Sequence, residues 1–434
     1  MIVLAPYYAL RGWRRGEPSR TFRERLGGLP ADLLARAASA ANSGQKAIWI
    51  HAVSVGEVLA AKPLLDGLKL RFPGRSIFVS TTTETGQRLA RQRLTLADGI
   101  FYFPLDWIVP VRRALRALQP AIVIVMETEI WPNFLREAQS QRVPVVFANA
   151  RISEKSFARF KAWEFLIGPF FAETLRDVDL FLPQTPEDAG RLSAMGAPSQ
   201  RLEVTGNLKY DAEPPHLGAF GEWLQNQIRQ QERWPIIVAG SVVEGEEDAV
   251  IAAYDAVQRQ WRHALLILAP RKPHRFDQAT ALAAEGGWKV LRRSQLDLAK
   301  PLDESVDVLI LDSIGELAGL YALADAAFVG GSLVSSGGHN ILEPAWFSQP
   351  PVFGTSMENF QDMADQFLDG HAAVQVPSAQ SLGKVWIQLI QDNTLRTRMG
   401  AAALAIAERN RGAARRTLDR ITPFIGQTSK GPTA

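Results

Sequence analysis

The chain has no cysteine among its 434 residues, which excludes disulfides, thiolate metal sites and thiol nucleophiles. Its six histidines are scattered, with no H-E-x-x-H pair or comparable spacing for zinc. No apolar run approaches the roughly 18 residues that a bilayer-crossing helix needs. The first stretch, Met1–Leu10, is apolar but short and carries Pro6; Arg11, Trp13, Arg14 and Arg15 follow it. That pattern fits an interfacial segment, the stub of a longer anchor, or a terminus packed on the body. No small-residue cleavage site follows, so a signal peptide is not expected. A net charge of +3 is far from the polycation that would point to nucleic acid. Internal repeats and low-complexity segments are also missing.

What is present suits a globular enzyme. Hydrophobic residues make up 47% and charged residues 21%, enough to bury real cores, and the length favours two domains. Positive charge is uneven: Arg11, Arg14, Arg15, Arg20, Arg23 and Arg25 crowd the start, and Arg409, Arg411, Arg415 and Arg416 the end.

Short β-rich runs alternate with longer helical patterns. The predicted strands of the first half are Ala47–Ala52, Ser76–Ser80, Ile100–Phe103, Ala121–Met126, Pro144–Ala148, Leu180–Leu182 and Leu202–Val204. After the polar stretch Asp211–His216 they resume at Pro235–Ala239, Ala264–Leu268, Lys289–Leu291, Asp307–Leu311, Ala326–Val329, Pro351–Phe353 and Ala372–Val376. Runs such as Ile122–Val125 and Val308–Leu311 are apolar on both faces, as parallel strands between helix layers must be. The alternation predicts two doubly wound α/β domains. A basic, apolar membrane-proximal segment is expected over 1–30, a first Rossmann-like domain over 31–210, a second over 211–425 and a disordered tail over 426–434. A last helix is predicted over Thr394–Arg420.

Ligands in such sheets gather at the carboxyl ends of strands. In Trp49–Glu57 a buried strand enters a tight turn and a helix begins near Glu57. This glutamate is a candidate general base; Ser54-x-x-Glu57 equally fits a capping box. A helix N-terminus lowers a carboxyl pKa, so burial would have to oppose it. Ser80–Gly86 leads hydroxyls into another helix, as an anion site or as a capping box of Thr81 with Glu84. Glu127 and Glu129 end a fully apolar strand, where an unpaired charge is costly. Lys209, in Thr205–Asp211, suits a carboxylate or phosphate, or simply a solvated linker.

The second half offers Gly240–Glu246, Ala269–Phe276, Asp312–Leu317, Gly330–Ser332 and Gly337–Pro344. Glycine-rich turns at helix starts present N–H groups to phosphates, and arginine pairs phosphate bidentately. No G-K-[ST] follows, so this is no Walker loop. Each turn is weak alone, but together they point to a nucleotide.

Taken in order, the strings WIHAVSVGE, TTTETG, METEIWPN, NARIS, TGNLKYD, PRKPHRF, DSIGEL and GGHNILEP resemble the 3-deoxy-D-manno-oct-2-ulosonic acid (Kdo) transferase family over residues 20–365. The resemblance implies the GT-B glycosyltransferase architecture, two Rossmann-like doubly wound domains with an inter-domain cleft and a terminal crossover helix. It implies inverting transfer from CMP-Kdo to the tetraacylated lipid A precursor (lipid IVA) in lipopolysaccharide biosynthesis, with no metal or other cofactor. It makes Glu57 the base, with Glu127 and Lys209 supporting the transition state. It carries CMP contacts onto Pro270 and Arg271, onto Ile314, Gly315 and Glu316, and onto Asn340, Ile341, Leu342 and Glu343. The expected location is the cytoplasmic face of the inner membrane, peripheral or N-terminally anchored. Two departures from the family pattern stand out: Val242 and Val243 replace polar residues, and Ile314 replaces a methionine. The competing readings are a GT-B enzyme using a UDP-sugar, as transferase or epimerase, and a catalytically silent lipid-binding scaffold.

Overall fold

The computed structural model of the chain describes residues 19–426. The predicted interfacial segment before Ser19 and the predicted tail after Gly426 lie outside them. The described part forms two compact units. One comprises the residues up to Ala212 with those from Asn410 onward; the other is Glu213–Arg409. The boundary thus falls two residues beyond the 210/211 division, and the terminal stretch counts with the first unit.

In the first unit, six parallel strands form one sheet: β1 (Ile48–His51), β2 (Ile77–Thr81), β3 (Gly99–Tyr102), β4 (Ile122–Met126), β5 (Val145–Ala150) and β6 (Leu180–Pro183), in the order β3-β2-β1-β4-β5-β6. Side chains alternate between two buried faces. Trp49, Phe78, Phe101, Val123, Phe147 and Phe181 enter one core, and Ile48, Ile50, Val79, Ile124 and Leu182 the other. Trp49 is fully buried against Phe101, Phe103 and Phe134, so its truncation to alanine would cost about 3–5 kcal/mol.

The covering helices follow the helical period. In Ile108–Leu118, Val111, Ala114, Leu115 and Leu118 are buried while Arg112, Arg113 and Arg116 face outward. That helix stops where Gln119 turns left-handed (φ 42°). The predicted strand Leu202–Val204 is a correction: Leu202 makes only a single bridge to Phe181. The predicted helix Thr394–Arg420 is also corrected. It is two helices, Asn393–Arg409 and Ala413–Gly426, parted at Gly412, whose φ of 94° suits glycine. The second of these packs Ala413, Leu418, Ile421 and Ile425 into the core shared with the helix Val55–Arg71.

The second unit holds β7 (Ile236–Val242), β8 (Leu265–Pro270), β9 (Val290–Arg292), β10 (Val308–Ile310), β11 (Ala326–Val329), β12 (Pro351–Phe353) and β13 (Val374–Gln375). Their order is β13-β12-β11-β7-β8-β10-β9, parallel throughout. Each sheet reverses its winding once, between β1 and β4 and between β7 and β11. Ligands of doubly wound sheets bind beyond the strand ends at such a reversal.

Candidate active site

Glu57 and Glu127 flank the reversal point of the first sheet. β1 runs through Val53 to Ser54, the N-cap of the helix Val55–Arg71, and Glu57 sits in its first turn. Glu127 follows directly on β4; its N–H donates to the Ala148 carbonyl at 2.8 Å, and its left-handed φ of 55° turns the chain out of the sheet. Such a conformation is costly for a residue with a side chain and persists only where its surroundings hold it.

Glu57 is 5% exposed. Its carboxylate accepts from the Val53 N–H at 2.7 Å and from the Ser54 hydroxyl at 2.9 Å. Neither bond of a capping box is made: Glu57 accepts from the N–H of Val53, one residue ahead of the N-cap, and Ser54 donates to the glutamate instead of accepting from the helix. Burial pushes the Glu57 carboxyl up to about 8, and the charge of Glu127 adds to the rise. The two hydrogen bonds oppose it, and Glu129 raises it further. Desolvation outweighs the helix terminus. Glu129 is itself raised to about 7, first by burial and then by Glu127.

Lys209 reaches this cluster from the turn Leu208–Asp211. Asn149, left-handed at the bulge of β5 (φ 57°), accepts from the Leu208 N–H at 2.9 Å, and Asn207 accepts from the Lys209 N–H at 3.0 Å. So held, Lys209 Nζ lies 3.4 Å from Glu127 Oε1. Three residues far apart in sequence thus share one electrostatic neighbourhood.

In the Ser80–Gly86 string the cap is Thr83, not Thr81. Thr83 accepts from the Gly86 N–H and donates to the Val53 carbonyl, bracing the loop that carries Glu57. Thr81 stays in β2 and donates to Gln87. Sequence reasoning missed His51. Its ring stacks 3.8 Å from Phe103, Nδ1 lies 2.9 Å from the Ser80 hydroxyl, and burial lowers its pKa to about 3. It is neutral, and its Nε2 finds no partner among the described residues. Its place inside the WIHAVSVGE string was the available signal.

In the second unit, Glu246 organises the reversal point. Its buried carboxylate accepts N–H groups from Val243 at 3.0 Å, Gly331 at 2.6 Å, Ser332 at 2.8 Å and Leu333 at 2.7 Å. This clasp ties the loop after β7 to the loop after β11. A Cβ on Gly330 would lie 2.6 Å from the Ser241 carbonyl and 2.8 Å from Glu246 Oε2, which is why glycine stands there.

Arg271 leaves the end of β8 exposed, its N–H donating to Val242 at 2.8 Å. Pro270 is the buried last residue of that strand. In the same cationic string Arg275 is structural, buried and paired to Glu247 at 2.9 Å. Asn340 accepts from the Leu342 N–H at 3.2 Å and starts the short helix Leu342–Ala345. Ile341 and Leu342 are wholly buried, so they could offer a ligand only backbone. Burial raises Glu343 to about 7 while the charge of Arg271 pulls it down. His339 is lowered to about 4 by burial and by the same arginine. The charge of Arg271 thus acts on both His339 and Glu343. Ile314 is 84% exposed beside Gly315 (φ 96°), and Glu316 is held by Arg293 at 3.1 Å, itself lying over the Phe220 ring. The first unit by itself supplies a high-pKa carboxylate suited to proton removal, and the second by itself supplies glycine-rich turns and a cation at strand ends, suited to phosphate.

A family model described as 3-deoxy-D-manno-octulosonic-acid transferase (kdotransferase) matches residues 20–212. The 3-deoxy-D-manno-octulosonic acid transferase of Haemophilus influenzae is 34% identical over 87% of this chain and 87% of its own. That of Bordetella pertussis is 34% identical over 98% of this chain and 97% of its own. Among solved structures, UDP-GlcNAc 2-epimerase from Neisseria meningitidis superposes with a TM-score of 0.56 over 87% of this chain and 99% of its own. Its 13% identity speaks to the fold alone, which is the GT-B class of two Rossmann-like units.

Proposed function

The chain belongs to the 3-deoxy-D-manno-octulosonic acid transferase family and is a glycosyltransferase of lipopolysaccharide biosynthesis; from that premise we propose that it transfers Kdo from CMP-Kdo to the lipid A precursor, with inversion and without a metal. The observation that carries the reading is Glu57, a buried carboxylate raised to about 8 beside the Glu127–Lys209 pair.

A base must be strong enough to take a hydroxyl proton yet ionised near neutral pH, and a pKa close to the working pH serves both needs. Glu57 takes the proton of an acceptor sugar hydroxyl. That oxygen bonds to the anomeric carbon of Kdo, and the carbon–oxygen bond to the CMP phosphate breaks with its electrons leaving on the phosphate. Arg271 and the turn amides around Gly315 and Asn340 meet the charge that develops there. Glu343 accepts from the ribose hydroxyls, and Pro270, Ile314, Glu316, Ile341 and Leu342 shape the rest of the nucleotide site. Lys209 neutralises Glu127 and balances the Kdo carboxylate.

Because the acceptor is a lipid, the reaction belongs at the cytoplasmic face of the inner membrane, where the arginine-bearing segment before Ser19 meets anionic headgroups. No helix among the described residues is long and apolar enough to cross a membrane.

The test is incubation of the full chain with CMP-Kdo and the lipid A precursor, following CMP release and the mass of the lipid. A lipid heavier by one or more Kdo residues, with no turnover from UDP-sugars, is the expected result. Turnover of a UDP-sugar instead, or CMP-Kdo left intact, would overturn the reading.

A further inference from the structure

The helix Glu154–Leu175 is built inside out for a surface helix. Its inner side places Phe157, Phe160, Ile167, Phe171 and Leu175 against the first unit's core. Its outer side is also apolar. Trp163 is 60% exposed, Phe165 99%, Leu166 70% and Phe170 53%, and exposed Ala162 and Pro169 lie among them. The spacing 162, 165, 166, 169 and 170 is that of one helical stripe. Scattered exposed apolar residues need no explanation, but a contiguous aromatic stripe on one helix does.

Along the same stripe, one and two turns towards the helix start, stand exposed Arg159 and Lys155. Lys161 is exposed beside them, bonded to Glu164 at 2.9 Å. Glu173, at the far end, is paired to Arg136 at 3.0 Å. The face therefore pairs bulky apolar side chains with a cationic end. Those are the two attractions that hold a helix in the headgroup layer of an anionic bilayer: apolar burial at the acyl boundary and charge complementarity with the headgroups.

We propose that the outer face of the helix Glu154–Leu175 is a docking surface for an anionic lipid bilayer, laying Trp163, Phe165, Leu166 and Phe170 into the acyl boundary while Lys155 and Arg159 meet headgroup phosphates. It rests on the reading that the acceptor is a lipid, and it gives the enzyme a membrane contact independent of the segment before Ser19.

The chain has no native cysteine, so Phe165→Cys labelled with an environment-sensitive dye reports from one position. Adding phosphatidylethanolamine–phosphatidylglycerol vesicles to the labelled full chain should shift its emission to the blue, and spin-labelled lipids should quench it. Unlabelled Phe165→Ser/Leu166→Gln/Phe170→Ser should float with those vesicles about tenfold or more less well than the parent. Its thermal melt and its transfer to acceptor dispersed in detergent should be unchanged. Lys155→Glu/Arg159→Glu should lose the preference for anionic over phosphatidylcholine vesicles. A dye that stays in water, or a triple variant that floats like the parent, overturns the proposal. So does a triple variant that turns a dimer into a monomer without losing vesicles, because the face then joins two copies of the chain. Absence of transfer in detergent would instead overturn the assigned reaction, leaving the vesicle result to stand on its own.

Discussion

Lys209 holds its ammonium nitrogen 3.4 Å from a carboxylate oxygen of Glu127, joining the turn that closes the first unit to the strained end of β4. The two side chains are only 15% and 25% exposed, so solvent screens them incompletely and removing one charge leaves the other poorly compensated. Glu127 in turn raises Glu57, and the pair therefore sets the field around the base.

Lys209→Met should lower kcat by roughly a hundredfold or more, the scale of losing one preorganised electrostatic partner of a transition state. Because Lys209 opposes Glu127, its loss should also move the ionisation of Glu57 upward. Steady-state transfer measured across pH reads both effects. A variant with the parent rate would remove Lys209 from the reaction.

Activity should require ionised Glu57, so kcat/KM should rise with pH along a limb centred near 8. Glu127→Gln takes away a like charge and should shift that limb to lower pH. Glu57→Gln should abolish transfer and leave CMP binding intact. Stability gives an independent sign. A carboxyl raised in the folded state binds its proton more tightly there than in the unfolded chain. Its contribution is complete below the unfolded value of 4.5 and is lost as pH rises towards about 8. Glu57→Gln should therefore stabilise the protein by a few kcal/mol more at pH near 9 than near 5, on the order of 1.4 kcal/mol for each tenfold gain in proton affinity before solvent relaxation discounts it. Urea unfolding at the two values checks this, and equal effects at both would mean that Glu57 ionises normally.

Most of the strand framework was legible because parallel strands buried on both faces leave runs such as Ile122–Met126 that need no context. What failed depended on distant contacts. Leu202–Val204 has strand-like residues, but the first sheet's ladder ends at β6 and leaves Leu202 one bridge. The helix broken at Gly412 reads as continuous because its period resumes beyond the glycine. At the site, Glu57 alone was ambiguous between base and cap, and the structure shows it bonded to the Val53 N–H ahead of the helix, outside a capping box, while desolvation raises its pKa. Glu246 lay inside a string singled out for phosphate, yet its partners at 331–333 are visible only in three dimensions. His51 gave no spacing signal because its partners are a serine on the adjacent strand β2 and a phenylalanine just past the end of β3.

That clasp is itself testable. Glu246→Ala strips acceptors from four backbone N–H groups in buried surroundings, each costing about 1–3 kcal/mol when unsatisfied. The expected loss is about 3 kcal/mol or more of unfolding free energy, with water entering to satisfy some of the donors. Chemical denaturation measures it, and an unchanged midpoint would show that Glu246 is dispensable.

Glu343 should make nucleotide affinity depend on pH. Its carboxyl sits near 7 with Arg271 favouring the ionised form, and only that form offers ribose hydroxyls two full acceptors. CMP should bind more tightly at pH 8 than at pH 6. Glu343→Ala should weaken binding and flatten this dependence. Arg271→Ala should weaken it through the phosphate and shift the dependence to higher pH. Calorimetry with CMP reads all three, and affinity unchanged in Glu343→Ala would remove that residue from the ribose site.

The end of the chain should report on the same cluster through Asp211. Its carboxylate accepts from the Gly412 and Ala414 N–H groups at 2.5 and 2.6 Å, capping the helix Ala413–Gly426, while its backbone belongs to the turn that carries Lys209. The helix is held further by Arg416, which donates to the Thr205 carbonyl at 2.8 Å, and by its apolar face. Loss of the cap should therefore loosen its first turn without detaching it. Asp211→Ala should cost about 1–2 kcal/mol, the usual worth of such a cap. It should speed amide exchange from Ala413 to Leu418 and reduce transfer by less than Lys209→Met does, since Lys209 remains but is less firmly placed. Asp211→Asn keeps one acceptor oxygen and should recover part of each loss. Faster exchange with transfer fully retained would show that the Leu208–Asp211 turn holds Lys209 in place without help from the terminal helix.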